Sequence, residues 1–223
     1  MITDKDLAML CLGIYGRPSS PPISWDYYDN GAGFGVCWGL KKTQGVSILV
    51  CRGSVTVPDW IRDVEAIAEW HADLGAHVHP GFNRGTAAVW LIARKIIRSD
   101  PWLVIGHSLG AAEADNITAY GILDGNPPAA RVVFGEPKPG FANFAALVAK
   151  APGRSYRNKD DNGHDIVTDV PVSFFAEPYE RATPLIDIVA SPPPYDGIDE
   201  FRYHHMELYA AAVPATPIIG EPA

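Results

Sequence analysis

Gly106-His107-Ser108-Leu109-Gly110 stands between the apolar run Trp102-Leu103-Val104-Ile105 and the Ala-rich stretch Ala111-Ala112-Glu113-Ala114. This arrangement constrains the fold more than any other stretch, because a strand has to end and a helix begin within one turn. A serine hydroxyl is a weak nucleophile, and a strained strand-to-helix turn is the way a chain exposes it to a base and to oxyanion donors. The flanking glycines let neighbouring backbone approach without a Cβ clash. Ser108 is therefore the candidate nucleophile.

The pattern around that turn repeats. Val46-Ser47-Ile48-Leu49-Val50-Cys51 is nearly all apolar, as a strand covered on both faces must be. Gly33 to Leu40 reads as a strand paired with it through the polar turn Lys41 to Gly45. Helical spacing marks a first helix capped by Thr3 and running to about Ile14, then helices over Phe82–Arg98, Ala111–Leu123, Phe141–Lys150 and His205–Ala212. Ala130–Phe134 and Ser155–Asn158 read as further strands. Apolar strands alternating with amphipathic helices predict an α/β class with a mostly parallel sheet and helices on both faces. At 223 residues the chain suits one domain, over 1–213, followed by a Pro-rich tail at 214–223.

Charge and cysteine content narrow the function. A net charge of -8 with no basic patch opposes nucleic acid and anionic membrane surfaces. Cys11, Cys37 and Cys51 each sit in apolar runs, an odd set without the spacing of a disulfide framework. No apolar run approaches the roughly 20 residues of a membrane span, so no stable membrane insertion is expected. The first residues lack a basic-then-apolar leader, from which a cytoplasmic protein is expected, with export by another route or as a phage product the alternatives.

A serine hydrolase needs a histidine base and a carboxylate to orient it. In α/β-hydrolase architecture these follow the serine in the order acid, histidine. Asp165 directly precedes the apolar pair Ile166-Val167, whereas Asp160 and Asp161 lie in a polar turn. Asp165 is the better acid. His204 and His205 both stand where a loop enters the last helix, and the residues alone leave the base open between them. His107, beside the serine, reads as a packing residue.

Several separate stretches together resemble the class 3 lipase family, related to fungal triacylglycerol lipases and feruloyl esterases. Val50-Cys51-Arg52-Gly53-Ser54 followed by Asp59-Trp60 resembles the family's aromatic-Arg-Gly-Ser/Thr strand end. Val78-His79-Pro80-Gly81-Phe82 resembles its His-x-Gly-Phe step, and Phe134-Gly135-Glu136-Pro137-Lys138-Pro139-Gly140 its Phe-Gly-x-Pro-Arg-x-Gly strand end. Asp165-Ile166-Val167 matches the acid motif, and His204-x-Met206-Glu207-x-Tyr209 resembles the closing segment of bacterial and plant members. The compact form suggests a bacterial or phage-type member. The resemblance implies an α/β-hydrolase fold with Ser108 as nucleophile, Asp165 as acid, His204 as base with His205 as the alternate, and Ser54 and Leu109 as oxyanion donors. It implies no cofactor and no metal. The substrate would be a small-molecule or lipid ester, with short and medium acyl chains favoured.

The chain departs from the family pattern at Cys51, where an aromatic is usual, at Glu136 and Lys138, where Gln and Arg are commoner, and at Thr168, where Pro is frequent. Residues 55–78 occupy the position of the family's lid. There Trp60, Ile61, Val64, Ile67 and Trp70 mix with Asp59, Arg62, Asp63, Glu65, Glu69 and Asp73, either as an amphipathic cover or as a fixed segment packing its aromatics. Trp25, Tyr27, Tyr28, Phe174, Phe175 and Tyr195 are candidate pocket walls. Rival readings are a lipase-like binding module without chemistry, a polysaccharide or feruloyl-type deacylase on the same fold, and a metal site of His71, His77 and His79 with Asp73, which lacks zinc-ligand spacing. A monomer or dimer is expected.

Overall fold

In the computed structural model the described residues are 1–54, 67–171, 177–192 and 201–218. The elements in chain order are α1 (Asp4–Gly13), β1 (Tyr27–Asp29), β2 (Trp38–Thr43), β3 (Val46–Cys51), β4 (Glu69–His71), β5 (Ala76–Val78), α2 (Pro80–Asn83), α3 (Thr86–Ile97), β6 (Trp102–His107), α4 (Leu109–Leu123), β7 (Ala130–Phe134), α5 (Ala142–Val148), β8 (Gly153–Asp160), β9 (Gly163–His164), a 3-10 turn (Ile166–Asp169), β10 (Leu185–Ile188), a second 3-10 turn (Arg202–His204) and α6 (Met206–Ala212). The main sheet runs β1-β2-β3-β6-β7-β8-β10, with β9 paired to β8. Strands β3, β6, β7, β8 and β10 are parallel, and β1 and β2 add an antiparallel edge.

Period-2 alternation within the apolar strands sorts the core into two layers. Ile48, Val50, Leu103, Ile105, Val132 and Phe134 face α1 and α6, whose Leu7, Ala8, Cys11, Met206 and Tyr209 cover them. Their neighbours Leu49, Cys51, Trp102, Val104 and Val133 face α3 and α4, against Val89, Trp90, Ala93, Ala114 and Ile117. Each fully buried large side chain contributes about 1.5–3 kcal/mol, so both layers are needed to hold the central strands. α1 starts on a capping box in which Thr3 and Asp6 each bond the other's backbone amide.

Four expectations need adjustment. The strand expected over Gly33–Leu40 starts only at Trp38 and continues to Thr43, because the polar turn tightens to Gln44-Gly45, both at positive φ, with Thr43 paired to Val46. The helix expected over Phe82–Arg98 is broken. Gly85 takes φ 80° and its Cα lies so close to the Phe34 carbonyl that a Cβ would stand 2.2 Å from that oxygen, so α2 and α3 are separate. Within 55–78, residues 69–78 form the β4–β5 hairpin, with Ile67 and Trp70 exposed, while Asp59, Trp60, Ile61, Arg62, Asp63, Val64 and Glu65 lie outside the described residues. Finally, residues 216–218 of the expected tail bond back to the amino-terminal segment, Asp4 N–H to the Thr216 carbonyl and Ile218 N–H to the Ile2 carbonyl.

Candidate active site

Ser108 is the hinge between β6 and α4. Its φ of 62° and ψ of -132° lie in a region that L-residues avoid, a cost of order 1–3 kcal/mol that the surrounding packing has to impose. That packing is close. A Cβ on Gly106 would meet the Gly110 carbonyl oxygen at 2.0 Å, and one on Gly110 would meet the Cys51 carbonyl oxygen at 2.3 Å. Both glycines of the motif are therefore fixed by backbone approach. The parallel register pairs Cys51 with Gly106, which sets Gly53 beside the turn, and a Cβ on Gly53 would stand 2.7 Å from Ser108 Cβ. Ser54 follows directly, at the end of that strand.

The candidate acid and base come from the segments after β9 and before α6. Asp165 follows the β8–β9 hairpin, its N–H bonded to the Asn158 carbonyl at 2.9 Å. Its Oδ1 accepts the Val167 amide at 3.0 Å and so caps the 3-10 turn, which leaves Oδ2 aimed elsewhere. Oδ2 accepts from His204 Nδ1 at 2.7 Å and from the Tyr209 hydroxyl at 2.5 Å. Burial opposes the Asp165 charge, but His204 and Tyr209 outweigh it and hold the carboxyl below its ordinary range. An ionised Asp165 only accepts, so His204 carries its proton on Nδ1 and presents a lone pair at Nε2. Ser108 Oγ and His204 Nε2 are both buried with no hydrogen-bond partner among the described residues. These are the two atoms between which a proton has to pass in serine catalysis.

The remaining candidates fall as follows. His205 is the exposed N-cap residue of α6, whereas His204 is buried and in contact with Asp165. Leu109 opens α4, where the first backbone amides have no intrahelical acceptor. His107 is buried, with its ring stacked on His204 at 4.5 Å between centroids. Asp160 accepts from the Tyr203 hydroxyl at 2.7 Å, away from His204. His77 bonds Asn143, His79 stacks on Phe82, and no group of three or more candidate metal ligands occurs among the described residues. Trp25, Tyr27 and Tyr28 pack on the β1–β2 edge of the sheet, while Phe174, Phe175 and Tyr195 lie outside the described residues. Tyr209 and Asn158 carry no role in the sequence reading, yet they brace Asp165: the Asn158 N–H donates to Tyr209 Oη, which donates to Asp165. Tyr209 stands in the closing motif, the one signal that pointed to it.

Comparison with known proteins places the geometry. The family model for Lipase (class 3) matches residues 48–175, more than half of the chain. No curated protein matches. Among solved structures, a mutant of MDLA from Penicillium cyclopium superposes with a TM-score of 0.63 at 18% identity, covering 76% of this chain and 65% of that one. The triacylglyceride lipase of Rhizomucor miehei gives 0.63 at 20%, covering 82% and 77%, and lipase II from Rhizopus niveus gives 0.63 at 21%, with the same coverage. This chain thus spans just under two thirds of the length of the Penicillium protein. At these identities the likeness establishes a shared α/β-hydrolase fold. Among the described residues no helix is long and apolar enough to cross a membrane.

Proposed function

The chain belongs to the class 3 lipase family, and from that premise we propose that it is a serine carboxylester hydrolase working through an acyl-Ser108 intermediate. The observation that carries the proposal is the buried 2.7 Å contact between Asp165 and His204, lying against the elbow that holds Ser108 in a strained conformation.

In this reading His204 Nε2 takes the Ser108 proton as Oγ attacks the acyl carbonyl. Asp165 holds the imidazole in the Nδ1–H tautomer and stabilises the imidazolium that forms. The negative charge on the former carbonyl oxygen falls to the Leu109 amide and to Ser54, through its amide and hydroxyl. Loss of one such donor typically costs about 3 kcal/mol of transition-state stabilisation. Collapse of the tetrahedral adduct expels the alcohol, which leaves with the proton from His204. Water, activated by the same histidine, then releases the acid and restores Ser108.

The substrate is a small-molecule or lipid ester, with soluble short and medium acyl chains favoured over emulsified long-chain fat. The polar composition of residues 55–78 supports this preference, since an interfacial cover needs an extended apolar face. A bacterial or phage-type origin is part of the same reading, supported by the closing His204 segment. Hydrolysis of nitrophenyl esters from acetyl to palmitoyl, with Ser108→Ala in parallel, tests the proposal. Turnover that disappears in the variant and peaks at short or medium chains is the expected result. A folded protein inert on all of them, or one whose rate climbs sharply above substrate solubility, contradicts the activity or the preference respectively.

A further inference from the structure

Two polar side chains beside the triad take no part in the proton transfers just described. His107 immediately precedes Ser108, and both of its ring nitrogens are engaged. Nε2 lies 2.8 Å from the backbone carbonyl of His204, and Nδ1 lies 2.6 Å from the Tyr15 hydroxyl. A carbonyl can only accept, so Nε2 carries the ring proton and Nδ1 the lone pair. The Tyr15 hydroxyl is then the donor to Nδ1. Its oxygen in turn lies against Gly53, where a Cβ would stand 2.8 Å from it, on the segment that leads to Ser54. One directed chain of hydrogen bonds therefore runs from Tyr15 through His107 to the main chain of His204.

We infer that Tyr15 and His107 are positioning residues for the catalytic base, the tyrosine locking His107 in its Nε2–H tautomer and His107 holding His204 by its carbonyl and by its ring face. This rests on the assignment of Ser108, His204 and Asp165 given above. His204 needs such a hold, since it closes a 3-10 turn of only three residues whose His204 N–H bonds the Phe201 carbonyl. The hydrogen bond to its carbonyl fixes the backbone, and the stacked ring, 27° from parallel, fixes the plane in which Nε2 points. A neutral His107 suits the role. Burial, and then the proximity of His204, drive His107 toward its uncharged form, so the ring does not repel the imidazolium that His204 becomes. Without the Tyr15 hydroxyl, the other tautomer would turn a lone pair toward the His204 carbonyl.

The test uses Tyr15→Phe, His107→Leu and His107→Gln in the full chain. Each is assayed for thermal melting, for kcat and KM on a soluble nitrophenyl ester, and for the rate of labelling by an alkyl fluorophosphonate. Labelling forms a Ser108 Oγ–P bond, breaks P–F with loss of fluoride, and sends the serine proton to His204. Tyr15→Phe and His107→Leu are expected to slow labelling and kcat by about 10- to 100-fold, the scale of a small misplacement of a reacting group, with KM changed by less than roughly two-fold. His107→Gln, whose amide can still reach the carbonyl, is expected to recover most of the rate. Tyr15→Phe removes a single oxygen atom and decides the question should His107→Leu fail to fold. Folded Tyr15→Phe reacting as fast as the parent, or His107→Gln as slow as His107→Leu, overturns the positioning role while the triad stands. A folded parent that is not labelled overturns the triad and this inference together.

Discussion

Two clusters of buried polar side chains lie close together in the sheet, and they are assembled to opposite ends. In the first, Arg131 of β7 places Nη1 2.6 Å from Asp115 Oδ1 and 3.2 Å from Glu136 Oε1, with Nη2 2.9 Å from Thr183. Burial drives the Asp115 carboxyl well above its ordinary range, while at Glu136 burial is outweighed, by Arg131 first, and the carboxyl is held below its ordinary range. The buried cation is matched by two carboxyls that are buried with it. In the second, Asp165, His204, Tyr209 and His107 are hydrogen-bonded into one network with neighbouring backbone and Tyr15, except at His204 Nε2, which has no hydrogen-bond partner among the described residues. The contrast separates polar burial that holds a fold from polar burial that keeps a lone pair available for a reaction.

Substitutions in the second cluster are expected to remove activity while leaving stability nearly intact. Ser108→Ala should lower kcat on a nitrophenyl ester by about 10^4- to 10^6-fold, with a melting temperature no lower than the parent's, since the variant keeps the Cβ and sheds a buried hydroxyl. Asp165→Asn should cost roughly 10^4-fold by presenting the wrong histidine tautomer; rates within ten-fold of the parent would erase the distinction drawn here. Arg131→Met tests the other side. Removal of one partner from a buried ion cluster leaves an uncompensated charge on Glu136, and urea denaturation should show a loss of about 3–5 kcal/mol, with kcat per folded molecule little changed. Activity lost at full stability would place Arg131 among the catalytic groups instead.

The smallest effect concerns pH. The His107 pKa is depressed in the folded chain below its ordinary 6.5, so as pH falls below that value the unfolded chain takes up a proton that the folded one refuses. Stability from this residue is full above about pH 6.5 and declines below it, by at most about 1.4 kcal/mol per pH unit. Denaturation curves from pH 7 to 5 should therefore converge for the parent and His107→Gln as the pH drops. Parallel curves would mean that His107 titrates normally and that the second cluster is less dry than its burial indicates.

Much of this architecture was legible in the sequence because its signals are local. The apolar runs before Cys51, His107 and Phe134 lie in strands whose alternate residues sort into the two core layers, and the glycines around Ser108 mark a turn that their close contacts explain. The order serine, acid, histidine brought Asp165 and the pair His204 and His205 forward, and the family resemblance put His204 first of the two. What stayed hidden was non-local. Tyr15 lies 92 positions from His107, and Tyr209 lies 44 from Asp165, so nothing in the spacing of either tyrosine announces its partner. Arg131 sits in a strand that reads as apolar, and only the fold shows the carboxyls that allow it there. The break at Gly85 likewise depends on Phe34, which the chain brings against it from a distant loop.

Trapping the acyl-enzyme tests the central claim most directly. The protein is mixed with a nitrophenyl ester, quenched in acid during turnover, digested and mapped by mass spectrometry. The account predicts one acyl group on the peptide containing Ser108, accumulating further when His204-assisted deacylation is slowed and absent from Ser108→Ala. An acyl group on any other residue, or turnover that persists in Ser108→Ala, would contradict it.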